Sequence, residues 1–90
     1  MSTTNAVRYG FVGILIEDRE ASAGAVQDVL SRHGSLIRGR LGLPGIDGQN
    51  LSVITLVIRA TSDELGSLTG QLGRIAGVSV KSAMSKHAYA

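Results

Sequence analysis

Arg38 and Arg40 are the residues best suited to grip a ligand. They stand two apart, so on an extended strand both guanidinium groups leave the same face. There they can clamp a carboxylate or phosphate from a small effector. The same spacing also describes a solvated strand edge or a rim ion pair. Asp18, between Glu17 and Arg19, opens the turn after the first apolar run. It is a candidate ligand contact and equally a helix N-cap. Gly66, Gly70 and Gly73 fall within about 60° of one another on a helical wheel. Each disfavours a helix interior by about 1 kcal/mol relative to alanine. They make a smooth backbone strip for a partner helix or ligand at an interface, or a solvent-facing strip with no partner.

Other chemistries lack their residues. With no cysteine there is no thiolate nucleophile, no disulfide and no Cys-based metal site. Asp18, Asp28, Asp47 and Asp63, with Glu17, Glu20 and Glu64, show no metal-loop spacing. His33 falls on an apolar helix face, where it packs and favours the helix C-terminus. His87 falls in a polar tail. No nucleophile motif and no cofactor fingerprint occurs. The expectation is a protein that is not an enzyme, with no catalytic residue, metal or cofactor. The net charge is +2, the cations are scattered, and the aromatics are two tyrosines and one phenylalanine. That is not the footprint of direct nucleic-acid binding. No apolar run approaches the roughly 18 residues of a membrane span, and residues 1–5 lack the apolar core of a signal peptide. A cytosolic protein is expected.

The elements that must hold these residues follow from periodicity. Arg8–Glu17 and Leu51–Ala60 read as strands that are apolar on both faces. In the first, Phe11 and Leu15 oppose Val12, Ile14 and Ile16. In the second, Val53 and Val57 oppose Ile54, Leu56 and Ile58. Gly10 and Gly13 within the first suggest close backbone approach or a bulge. Asp18 starts a helix that runs to about His33, with Ser22, Val26, Val29, Leu30 and His33 on one face and Gly34 as its stop. Ser35–Leu43 alternates more cleanly, with Ile37, Leu41 and Leu43 on one side and Arg38 and Arg40 on the other, as suits an edge strand. The turn-rich stretch 43–50 follows. Thr61-Ser-Asp-Glu64 is a capping box. It opens a helix to about Ile75 or Ala76, with Leu65, Leu68, Leu72 and Ile75 as its stripe. Gly77 ends it, and Val78–Met84 is the last strand.

The order β-α-β-β-α-β predicts an α+β, ferredoxin-like domain over residues 8–84, between tails at 1–7 and 85–90. Its antiparallel four-stranded sheet has strands one and three in the middle and both helices on one face. The other face then has no cover within the chain, so a homo-oligomer (dimer or tetramer) is expected, joined face to face or edge to edge.

Two segments carry a family resemblance: Ile16-Glu-Asp-Arg19 after a strand, and the Leu/Gly run within Asp63–Ser82. Together they resemble the iron-only hydrogenase system regulators, which are short ACT-like domains. Those are related in fold to the nickel-binding C-terminal domain of the nickel-responsive repressor. The resemblance covers about residues 8 to 82. It implies regulatory sensing by an oligomeric domain, as in a transcriptional regulator of a hydrogenase system, with a small-molecule effector at the subunit interface. The nickel site of the repressor needs several histidines and a cysteine, and its DNA-binding segment has no counterpart in residues 1–8. Neither nickel nor DNA binding carries over. The other readings are a purely structural oligomerisation module, or an enzyme of the dimeric ferredoxin-like type. The latter needs polar groups in a pocket between sheet and helices.

Overall fold

The computed structural model describes residues 6–88. The elements are β1 (Arg8–Ile16), α1 (Arg19–Arg32), β2 (Ile37–Leu43), β3 (Ser52–Ala60), α2 (Ser62–Gly73) and β4 (Val78–Met84). All pairings are antiparallel, in the order β2-β3-β1-β4. The two strands that are apolar on both faces are thus the central pair. Residues 1–5 and 89–90, which fall in the expected tails, lie outside the described residues.

Local chemistry sets the helix starts. The Asp18 carboxylate accepts from the Ala21 amide at 3.2 Å. Thr61 Oγ1 accepts from the Glu64 amide at 3.2 Å, and Glu64 Oε1 accepts from the Thr61 amide at 2.8 Å. This reciprocal pair satisfies two amides that a helix start otherwise leaves orphaned. The ends fall earlier than periodicity suggests. The His33 amide closes α1 by donating to Val29 and Leu30 carbonyls, each at 3.2 Å. A 3-10 turn, Gly34–Leu36, takes the expected start of β2 and buries Leu36. Beyond Gly73 the Ile75 amide donates to the Leu72 carbonyl at 3.1 Å, and Gly77, at φ +76°, turns the chain into β4. A left-handed φ of that size is one glycine adopts without strain.

A single apolar layer separates the helices from the sheet. Val12, Ile14 and Ile16 of β1 and Ile54, Leu56 and Ile58 of β3 meet Val26 and Leu30 of α1 and Leu68 and Leu72 of α2. Leu65 and Ile75 pack at its margin. Of the two β1 glycines, Gly10 alone marks a close approach. A Cβ there would collide with Met84 Sδ and the Ala83 carbonyl oxygen, whereas one at Gly13 would lie 3.9 Å from the Lys81 carbonyl.

The bulge sits in β2 instead. Ile37 pairs with Ile58 and Gly39 with Val57, so Arg38 is an extra residue with no counterpart on β3. This corrects the expected face assignment. The inserted residue reverses the alternation. Ile37 lies on the helix side against the core, while Leu41 and Leu43, opposite Thr55 and Val53, lie on the open side.

Candidate functional site

At the β1–α1 turn, Asp18 is held from two directions. Its Oδ1 accepts from the Ala21 amide and, at 2.7 Å, from the Asn50 side-chain amide. Asn50 in turn accepts the Glu20 amide on its Oδ1 and the Arg19 amide on its backbone oxygen, each at 3.2 Å. The residue just before β3 therefore clasps the first turn of α1, and the Asp18 carboxylate serves that clasp.

Arg38 and Arg40 do not converge. The bulge places Arg38 outside the ladder, where Nη1 donates to the Ser35 carbonyl at 2.8 Å. Arg40 lies opposite Leu56 on the helix side, and its Nη2 donates to Gln27 Oε1 of α1 at 2.9 Å. Arg40 instead shares a cleft with Arg19, from the Glu17-Asp18-Arg19 turn, and with Ser52, which sequence reasoning did not single out. All three line a cleft of about 220 Å³ between α1 and the β2–β3 edge. Ser52 is 5% exposed, and its hydroxyl has no hydrogen-bond partner. A buried hydroxyl in that state is disfavoured by about 1–3 kcal/mol. One signal was present: Ser52 shares the parity of Ile54, Leu56 and Ile58, a lone hydroxyl on a buried stripe.

Gly66, Gly70 and Gly73 lie together on the exposed side of α2, and a Cβ at any of them would meet nothing within 4 Å. His33 is half-buried at the α1 terminus and His87 is exposed. Among the described residues no group of three His, Cys, Asp or Glu side chains could hold a metal ion. Among the described residues no helix is long and apolar enough to cross a membrane.

The largest feature is the helix-free side of the sheet. Among the described residues, the large apolar side chains left exposed are Tyr9, Phe11, Leu15, Leu41, Leu43 and Val57. Register puts all six on this side. Leu43, Val53 and Leu15 form one row across the strands, and Val57, Phe11 and Ala83 form another. Phe11 is 54% exposed and Leu41 66%. Lys81 at the β4 edge and Arg59 near the end of β3 are the charged residues of this face. An apolar patch rimmed by cations is the form an interaction surface takes.

Comparisons with known proteins agree with this architecture. Residues 8–82 match a family model described as "TM1266-like: Iron-only hydrogenase system regulator, putative". Uncharacterized protein TM1266 from Thermotoga maritima is similar at 35% identity and a TM-score of 0.83, over 89% of this chain and 99% of that one. The C-terminal domain of the MgtC protein from Mycobacterium tuberculosis shares the fold at 20% identity and a TM-score of 0.67, over 96% of each chain. CPII, a nitrogen regulatory PII-like protein from Thiomonas intermedia K12, shares it at 17% identity and a TM-score of 0.51, over 90% and 94%. No curated protein matches. With the match spanning both helices and all of the sheet but the last two residues of β4, the chain belongs to the TM1266-like family of iron-only hydrogenase system regulators.

Proposed function

We propose that this protein is a homo-oligomeric regulatory domain of an iron-only hydrogenase system. A second copy covers the open sheet face, and a small effector shifts the assembly or its docking to a partner. The observation that carries this reading is the segregation of six exposed, large apolar side chains onto one face. The family match supports the regulatory part.

Size supports the choice of occupant. Strands of 7 to 9 residues, four abreast, present on the order of 500 Å² on this side. Two copies face to face then bury on the order of 1,000 Å², where specific interfaces begin. The rows Leu43-Val53-Leu15 and Val57-Phe11-Ala83 hold no charge, and the row between them, Leu41-Thr55-Gly13-Lys81, carries its one charge on the edge strand β4, so stacking two copies strands no unpaired ion on the central strands.

Light scattering of the intact chain tests the reading. The wild type should have at least twice the 9.4 kDa chain mass. Phe11→Glu, which sets a carboxylate in the middle of the patch, should return it to one chain mass with an unchanged circular dichroism spectrum. A wild-type protein of one chain mass at high concentration would remove the oligomeric reading.

A further inference from the structure

We propose that the cleft between α1 and the β2–β3 edge is a binding site for a small organic monocarboxylate, held by Arg19, Arg40 and Ser52. The Ser52 hydroxyl is buried on the helix side of the sheet, at a residue that lines this cleft, and has no protein group to pair with. Buried hydroxyls are ordinarily hydrogen-bonded, so a partner from outside the chain completes it. The two guanidinium groups give the sign of that partner. Among the described residues, neither Arg19 nor Arg40 has a carboxylate within ion-pair reach. Arg40 spends one donor on Gln27, which steadies the group and leaves the rest of its planar fork free. Such forks match an anion with two oxygens.

The remaining walls narrow the class. Ile16, Ala23 and Ile54 supply an apolar lining, suited to a short hydrocarbon body rather than a bare inorganic anion. No Asp or Glu lines the cleft, so the ammonium of a zwitterionic amino acid would have no counter-charge there. The volume, about 220 Å³, is below the roughly 300–1,000 Å³ of drug-sized ligand sites and excludes a dinucleotide. Gly42 keeps the opening free of a side chain: a Cβ there would rest against Ile54 Cγ1 at 3.8 Å.

This site supplies the effector pocket that the regulatory reading calls for, and rests on that reading only for the consequence of binding. Calorimetry and amide NMR of the full chain with butanoate, 2-aminobutanoate and inorganic phosphate test it. Butanoate should bind saturably, one per chain, and shift the amides of Arg19, Arg40 and Ser52. The 2-amino analogue and phosphate should each bind about ten-fold or more weakly. Arg19→Met and Arg40→Met should each weaken butanoate by about ten-fold. Ser52→Ala should also weaken it while leaving the melting temperature equal or higher, because it removes an unpaired buried hydroxyl. That combination separates a ligand contact from a fold contact. Absence of saturable binding by all three probes, or butanoate affinity unmoved by both arginine variants, would overturn the site. Tighter binding of phosphate or 2-aminobutanoate would overturn the monocarboxylate class. Saturable butanoate binding with no change in light-scattering mass or partner docking supports the site and removes the effector role from the regulatory reading.

Discussion

The Asn50 side-chain amide donates to the Asp18 carboxylate at 2.7 Å and so ties the entry of β3 to the first turn of α1. Asn50 also accepts two amides of that turn, from Arg19 and Glu20. Replacing it with alanine orphans the Glu20 amide and removes the donor to Asp18, which loosens the cap, while the backbone carbonyl still accepts the Arg19 amide. Because the contacts are exposed, the expected loss is about 1 kcal/mol. In a domain of this size that lowers the melting temperature by about 4–8 °C. Thermal unfolding of Asn50→Ala measures it, and an unchanged midpoint would show that water replaces the clasp without loss.

Gly10 and Gly13 sit on the same strand but should respond differently to one methyl group. At Gly10 the added Cβ runs into Met84 and the Ala83 carbonyl; at Gly13 it makes an ordinary contact with Lys81. Gly10→Ala should destabilise by about 1–3 kcal/mol through overpacking against backbone. Gly13→Ala should change stability by less than about 1 kcal/mol. Met84→Ala should restore only part of the loss in a double variant, since the carbonyl oxygen cannot move aside. Denaturant midpoints of the four proteins are the measurement. Equal midpoints for the two single variants would contradict the register between β1 and β4.

The glycine strip of α2 offers a two-way outcome. Gly66 and Gly70 lie within the helix and face open space. Alanine at each should stabilise the isolated subunit by about 0.5–1 kcal/mol, by improving helix propensity and restricting the unfolded chain. Gly73, at the last helical position, should gain less. If the strip docks a partner helix, the triple variant should instead lower the oligomer mass in light scattering. A higher melting point with the mass unchanged would assign the strip to solvent.

How much was legible in the sequence differs from element to element. Asp18 and Thr61–Glu64 announce the helix starts, because a cap is a contract among residues within three or four positions. The double-sided greasiness of Phe11–Ile16 and Val53–Ile58 marks the central strands, because a strand carries apolar residues in both parities when both of its faces are to be covered, and the middle of a sheet is where both can be. The ferredoxin-like order and the uncovered face follow from those two facts. The pairing of Arg38 with Arg40, the grouping of Ile37 with Leu41, and the meeting of Arg19, Arg40 and Ser52 were settled only by tertiary structure. A bulge at Arg38 shifts the β2 register by one residue, which turns every later side chain to the opposite side of the sheet. Gly39 beside Arg38 is a local cue for a bulge, but Gly42 in the same strand is another, and which of them shifts the register depends on β3, a partner more distant along the chain. The cleft is likewise built from three elements that touch only after folding, so its chemistry belongs to the packing of α1 on the sheet and not to any single stretch of sequence.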